Sequence, residues 1–262
     1  MKAKKSLGQN FLHSKAVLED IVKASKIDPT DTILEIGPGL GSLTSELLNT
    51  GAKVVCVEKD DRLIPELAEK FKKEIENNQL KIVHGDILEQ NIEQLLPEKY
   101  KLVANIPYYI TGQIIRSFLE SKRQPNTITL LVQKEVADRI VARDGKESLL
   151  SLSVKAYGEP KYIRTVGKGA FNPPPSIDSA VIFIDKISKD KFAGLDEKFF
   201  FDVIHAGFAH KRKQLFSNLS STTDKDYLLE ALEKAGISPK SRAEDISLSA
   251  WIEVCKNLTA YN

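Results

Sequence analysis

Cysteine is scarce in this chain: only Cys56 and Cys255 occur, almost two hundred positions apart. Neither belongs to a CxxC pair or a metal spacing, which excludes a disulfide scaffold and a thiolate metal centre. Cys56 lies inside "KVVCVE", where a small buried hydrophobe is expected and not a nucleophile. The four histidines, at 13, 84, 205 and 210, form no HxH or HExxH arrangement, so no metal site is expected. No apolar run approaches the roughly 20 residues needed to span a bilayer. The basic start "MKAKKS" is followed by "FLHSKAVLEDIV", which places charges where a signal peptide needs its apolar core. A cytoplasmic protein with a solvated basic arm is expected. An excess of one charge is also missing, since the formal net charge is only +2. There are 26 basic against 25 acidic residues up to Asp185, and 12 against 11 after it. Any grip on nucleic acid must therefore rest on local clusters, either Lys2, Lys4 and Lys5 or the "HKRK" of 210–213. What remains is ordinary: 42% hydrophobic and 28% charged residues, the balance of a globular enzyme and not of a disordered chain.

Up to about residue 185 short apolar runs alternate with amphipathic segments. "AVLEDIVKASKI" sets Val17, Leu18, Ile21 and Val22 on one helical face. "TILEI", "KVVCVE", "LKIVHGD", "KLVAN" and "TITLLVQ" read as strands. Between them "SLTSELLNT", closed by Gly51, and "RLIPELAEKFKKEIE", with Leu63, Leu67, Phe71 and Ile75 in step, read as helices. Nearly all-apolar strands separated by helices predict a parallel sheet covered on both faces. "DSAVIFID", 178–185, closely follows "NPPPS", which suggests a hairpin-type return and an antiparallel last strand. From 186 onward "EKFFFDVIHAGFAHKRKQLFSNL", "KDYLLEALEKAGI" and "SLSAWIEVCKNL" are helical in period. The expected division is thus an α/β domain over 1–185 and a small all-helical domain over 186–262.

"LEIGPGLGS", 34–42, joins the first of these strands to a helix. Gly37, Gly39 and Gly41 form GxGxG, with Ser42 where a dinucleotide fingerprint needs its third glycine. Glycines at this point let the backbone approach a ligand at the carboxyl end of a strand. Glu58 ends the next strand, 21 residues after Gly37, where a carboxylate accepts hydrogen bonds from a ribose diol. Asp86 ends the following one, placed for an adenine edge. Both NAD and S-adenosylmethionine carry an adenosine suited to this arrangement. The missing third glycine, and the lack of a hydride-transfer group, favour the methyl donor.

Asn105 follows "KLVA", so a parallel sheet aims it into the same crevice, and "NIPYY" then leaves the sheet at Pro107. An exocyclic amine on a nucleobase is a poor nucleophile because its lone pair is delocalised. Hydrogen bonds from its two N–H groups to the Asn105 side-chain oxygen and the Ile106 carbonyl would localise that pair. Pro107 stiffens the loop, and Tyr108 can stack on the base. Tyr109 has no assigned role.

These motifs together resemble the ribosomal RNA adenine N6-dimethyltransferase family, most closely its small-subunit (KsgA-type) branch, over essentially the whole chain. "SLGQNFL" (6–12) resembles the N-terminal motif that folds over the cofactor in that family. "LEIGPGLGSLT", "VEKD", "GDIL" and "NIPYYIT" resemble its glycine motif, ribose acid, adenine contact and catalytic loop. "FNPPPSIDSAVI", 171–182, fits FxPxPxVxS except for Ile177. Two other departures are Tyr109, where many relatives have Asn, and "KRK", where a double arginine is common. The resemblance implies a Rossmann-like class I methyltransferase sheet with a small all-α C-terminal domain. It implies that Asn10, Leu12, Gly37, Gly39, Glu58, Asp86 and Asn105 bind S-adenosyl-L-methionine. Asn105, Ile106, Pro107 and Tyr108 would form the catalytic loop, with Phe171 helping to hold a flipped base. The implied substrate is a pair of adjacent adenosines in the terminal hairpin of small-subunit rRNA, met in a pre-30S particle by a monomeric enzyme. A large-subunit adenine methyltransferase of the macrolide-resistance type shares the cofactor motifs. A non-catalytic assembly or transcription factor is the reading from another functional class. The ending "AGISPKSRAEDISLSAW" favours the small-subunit branch.

Overall fold

The computed structural model describes residue 4, residues 7–192 and residues 194–259. Lys2, Lys5 and Ser6 of the basic arm and the N-terminal motif lie outside the described residues. The strands are β1 (Phe11–Leu12), β2 (Thr32–Ile36), β3 (Lys53–Glu58), β4 (Leu80–His84), β5 (Lys101–Asn105), β6 (Thr127–Gln133), β7 (Glu159–Val166), β8 (Phe171–Asn172) and β9 (Ser179–Asp185). The helices of the sheet region are α1 (Lys15–Ala24), α2 (Ser42–Leu48), α3 (Leu63–Lys70), α4 (Lys72–Glu76), α5 (Ile92–Leu95) and α6 (Thr111–Glu120). Then come α7 (Lys134–Val141), α8 (Leu149–Lys155), α9 (Glu197–Gly207), α10 (Leu215–Leu219), α11 (Lys225–Lys234) and α12 (Leu248–Thr259).

Seven strands form one sheet in the order β4-β3-β2-β5-β6-β9-β7. The pairs among β2 to β6 are parallel, whereas β9 runs antiparallel to both β6 and β7. The expected parallel sheet with an antiparallel return is therefore the observed one. Its core follows from composition: Ile33, Val54, Val103, Leu131 and Val181 are almost fully buried against Ile21, Leu47, Leu63 and Leu67 of the covering helices. Each such side chain contributes about 1.5–3 kcal/mol when fully buried. From β2 the chain moves outward through β3 and β4, then returns to the other side of β2 as β5. That reversal opens a crevice at the carboxyl ends of β2 and β5, the usual ligand position in such sheets.

In the sheet region three elements depart from expectation. The helix expected over 62–76 breaks at Phe71, whose φ of −111° and ψ of 29° leave the helical region. The break seats the Phe71 ring over Gly41 while keeping Leu63, Leu67 and Phe71 in the core. Strand β7 was not foreseen. Its half-exposed alternation and Pro160 suit an edge strand and give a weak pattern. The two-residue ladder between β1 and β8 was not foreseen either, because it joins distant segments.

The chain divides into two compact units, and the division is not a single cut at 185. One unit holds the described residues up to Ala137 together with Glu159–Ile187, and the other holds Asp138–Gly158 together with the described residues from Ser188 onward. Aromatic packing explains why 138–158 joins the helical unit. The Tyr157 ring lies 5.1 Å from Phe192 and 6.0 Å from Phe201, and Phe192 packs edge-on to Phe200. The Glu147 amide also donates to the Glu244 carbonyl at 2.8 Å.

Within this helical unit the segment expected as one helix over 197–219 is interrupted after Gly207. Phe208 stacks on the fully buried Trp251, and the Asn218 side-chain amide donates to the carbonyls of Gly207 (2.6 Å) and His210 (3.2 Å). The Gly207 carbonyl, left without a helical partner at the end of α9, is satisfied in this way, and the His210 carbonyl also accepts from the Lys213 amide at 3.0 Å. The interruption leaves Lys211, Arg212 and Lys213 exposed on a loop.

Candidate active site

Strand register brings the chemistry-bearing residues to one edge. Ile36 is paired with Ala104 and with Val57, so Gly37, Glu58 and Asn105 emerge side by side at the carboxyl ends of β2, β3 and β5. Around them lies a cleft enclosing about 990 Å³ of atom-free space, part of it open to solvent. Every sequence-predicted site residue but one lines it: Asn10, Leu12, Gly37, Gly39, Glu58, Asp86, Asn105, Ile106, Pro107 and Tyr108.

Phe171 is the exception. It is only 3% exposed, sits in the hydrophobic core and pairs with Leu12 across the β1–β8 ladder. The resemblance implies that it helps to hold a flipped base; in this structure the ring lies behind Leu12, off the cleft wall.

The glycine loop is built for close approach. Gly37 adopts a φ of +65°, and nothing lies within 4 Å of the place a Cβ would occupy. Its amide donates to the Val57 carbonyl at 2.9 Å, extending the sheet pairing to the rim of the cleft. Glu58 is held by two backbone amides, Gly39 N–H at 3.1 Å on Oε2 and Asp60 N–H at 2.8 Å on Oε1. Burial raises its carboxyl above the ordinary value, against the pull of those amides. Asp86 caps a 3₁₀ turn, Ile87–Glu89, through the Leu88 amide and accepts from Lys59 Nζ at 2.6 Å. The Lys59 hydrogen bond keeps Asp86 below the usual carboxylate range, and its oxygens retain lone pairs for a further donor.

On the opposite wall Asn105 Nδ2 donates to the Asn10 carbonyl at 3.2 Å. With its NH₂ end committed there, the side-chain oxygen is the end available to a ligand. Pro107, at φ −59°, leads into the 3₁₀ turn Tyr108–Ile110 and then α6. The Tyr108 hydroxyl hydrogen-bonds to Ser179 Oγ at 2.5 Å. Tyr109 is 64% exposed at the rim, its ring against Gly8.

Sequence reasoning gave no role of their own to three supporting groups, although each lies inside a quoted motif. Asp60 accepts from Arg62 Nε and Nη2 at 2.8 and 2.6 Å and from Gln9 Nε2 at 2.8 Å. The Arg62 hydrogen bonds, first among several causes, hold its carboxyl far below the usual range. It thereby ties the segment ahead of β1 to the end of β3. Ser179, the first residue of β9, shares the 2.5 Å hydrogen bond with the Tyr108 hydroxyl. Glu35, within "TILEI", is buried and accepts from Thr44 Oγ1 at 2.7 Å and Cys56 Sγ at 3.2 Å. A charged residue interrupting an otherwise apolar central strand was the available signal.

Burial pushes the Glu35 carboxyl up from 4.5 to about 7, with the Thr44 and Cys56 hydrogen bonds opposing it. A carboxyl raised in the folded state favours folding while protonated. The contribution is full below pH 4.5 and is lost as pH rises to about 7. Glu35→Gln keeps an acceptor and stays neutral. The melting temperature of this variant relative to the unsubstituted chain is expected to rise between those pH values, on the order of a few kcal/mol in stability. A constant difference across that range in thermal melts would contradict the assignment.

The arrangement comprises an open backbone approach, a carboxylate at the end of β3, and an amide oxygen beside a partly buried tyrosine at a sheet switch point. The match to a family model described as "Ribosomal RNA adenine dimethylase" covers residues 1–260. A "Ribosomal RNA small subunit methyltransferase A" of Dehalococcoides mccartyi (strain CBDB1) is 45% identical, over 97% of this chain and 88% of its own length. A protein of the same name from Clostridium botulinum (strain Okra / Type B1) is 42% identical over 95% and 92%. Among solved structures, a dimethyladenosine transferase from Plasmodium falciparum superposes with a TM-score of 0.82 at 25% identity, covering 95% of this chain and 98% of the other. The 23S rRNA methyltransferase ErmE superposes with a TM-score of 0.78, also at 25% identity, covering 95% and 100%. From "LEIGPGLGS" to the last helix, this chain belongs to the ribosomal RNA adenine dimethylase family.

Proposed function

We propose that the chain transfers methyl groups from S-adenosylmethionine to N6 of two adjacent adenosines in the terminal hairpin of small-subunit rRNA, acting as a monomer on a pre-30S particle. The observation that carries this reading is the fixed amide of Asn105, its donor end held by the Asn10 carbonyl and its acceptor end left for the cleft beside Gly37. The residues present suit the methyl donor: a glycine with open space above its Cα and a carboxylate at the end of β3. When bound, S-adenosylmethionine supplies a methyl group activated by a sulfonium, so no metal or strong base is required.

Glu58 would hold the ribose hydroxyls and Asp86 an adenine amino group, while Asn10 and Leu12 close the wall over them. Asn105 Oδ1 and the Ile106 carbonyl would accept the two N–H bonds of the target amine and localise its lone pair. Pro107 keeps those acceptors in place before the base arrives, which is where electrostatic preorganisation has its effect. Tyr108 would stack on the base, worth about 1–3 kcal/mol. A base inside folded RNA must be extruded to reach such a site, and a hairpin loop is where extrusion costs least. As the N–C bond forms the S–C bond breaks, S-adenosylhomocysteine leaves as a neutral thioether, and the methylated amine loses one proton to solvent. A single N–H remains, so the monomethyl amine must rotate and rebind through one hydrogen bond. The exposed Lys211, Arg212 and Lys213 suit phosphate contacts.

The test is methyl transfer from labelled S-adenosylmethionine to undermethylated small and large ribosomal subunits, with the modified nucleotides mapped. Label is expected as dimethyladenosine at adjacent positions of the small-subunit RNA. Label confined to the large subunit would overturn this reading in favour of the macrolide-resistance type. Absence of label from both would favour a non-catalytic assembly role.

A further inference from the structure

Tyr108 stands on a loop, yet the reading above asks its ring to be in place before a base arrives. The loop alone does not fix the ring: Pro107 restricts one dihedral, and Tyr108 belongs to a single 3₁₀ turn. What reaches it from outside is the first residue of β9. Because β9 runs antiparallel, its N-terminal end arrives at the carboxyl edge of the parallel strands, where the cleft lies. Ser179 pairs there with Gln133 of β6 on one side and with Val166 of β7 on the other. Just before it, the Asp178 carbonyl accepts from the Lys134 amide at 3.0 Å, and an Asp178 carboxylate oxygen accepts from the Lys168 amide at 3.1 Å. Ser179 is itself fully buried. A hydroxyl so anchored is a fixed point, and it meets the Tyr108 hydroxyl at 2.5 Å.

We propose that Ser179 is a positioning residue for methyl transfer, holding the Tyr108 ring at the angle needed to receive the target base. This rests on the functional reading above for Tyr108. The bond ties the tip of the ring to the sheet while Pro107 ties its base to β5, so the aromatic face is held at both ends. Burial raises the Tyr108 phenol above its ordinary value, so it keeps its proton at neutral pH and the hydroxyl pair stays intact. A ring held in this way needs no ordering when the base enters, and the amine meets Asn105 in its reactive orientation.

Four variants test this: Ser179→Ala, Tyr108→Phe, the double substitution and Ser179→Thr. Each of the first two removes the same hydrogen bond from one end and is expected to lower kcat about tenfold, with affinity for S-adenosylmethionine and the melting temperature little changed. The double variant is expected to fall no further than either single one. Ser179→Thr, which keeps a hydroxyl, is expected to recover most of the rate. Unchanged kcat in Ser179→Ala, or a double variant whose loss is the product of the two single losses, would overturn the proposal. A fluorine label on the Tyr108 ring gives a second measurement that needs no turnover. Its resonance is expected to shift and broaden in Ser179→Ala, and an unchanged resonance would overturn the proposal. If the unsubstituted enzyme transfers no methyl to either subunit, the functional reading fails, while the fluorine signal still decides whether Ser179 holds the ring.

Discussion

Replacing Asn105 by alanine is expected to lower kcat for methyl transfer by about 10²–10³-fold while changing S-adenosylmethionine affinity far less. The side chain has two ends with separate duties. Nδ2 donates to the Asn10 carbonyl at 3.2 Å, a modest contact on the cofactor wall. On the proposed function Oδ1 would face the incoming amine, and its contribution would grow as the nitrogen becomes tetrahedral and its N–H bonds polarise. An interaction stronger in the transition state than in the ground state appears in kcat and not in binding. Single-turnover transfer to undermethylated small subunits, with equilibrium binding of the cofactor in parallel, separates the two. Asn105→Ala turning over at the unsubstituted rate would remove the lone-pair argument.

The second large effect is on stability. Gly41→Ala is expected to destabilise the sheet unit by about 2–4 kcal/mol, the sum of left-handed strain and overpacking. Gly41 adopts φ +72°, and an added Cβ would stand 2.5 and 2.8 Å from the Phe71 ring. Phe71 cannot give way cheaply, because its ring belongs to the core with Leu63 and Leu67. At about 2–4 °C per kcal/mol for a unit of this size, thermal melts should drop by roughly 5–15 °C. Gly37→Ala makes the contrast. Its φ of +65° carries the same backbone strain, but no atom lies within 4 Å of the new methyl. The loss there should be near 1 kcal/mol in stability, with the main effect on cofactor affinity. Equal melting temperatures for the two variants would contradict this division.

That contrast explains what could be read in the sequence. GxGxG identified a ligand loop, because glycines after an apolar strand have a local reason to be there. It did not reveal that Gly39 and Gly41 yield space to Phe11 and Phe71, since both partners lie far away along the chain. Most cleft residues were legible because they sit at strand ends or just beyond, where a parallel sheet delivers them together. The burial of Phe171 was not legible because its partner, Leu12, is joined to it only by the β1–β8 ladder. The transfer of 138–158 to the helical unit was hidden for the same reason, since Tyr157 meets Phe192 and Phe201 only after folding. Glu35 differs: its position was plain, but only burial shows that its proton is retained well above the ordinary carboxyl range.

The β1–β8 ladder also bears on the order in which the molecule assembles. Phe11 and Leu12 meet Asn172 and Phe171 across a loop of roughly 160 residues, and closing so long a loop carries an entropic cost that two pairs of residues repay poorly. The sheet shortens that loop beforehand, so the ladder is a clasp fastened after the strands are in register. Leu12 lies in this clasp and Asn10 just ahead of it, so two residues of the cleft wall reach their places only when the ladder closes.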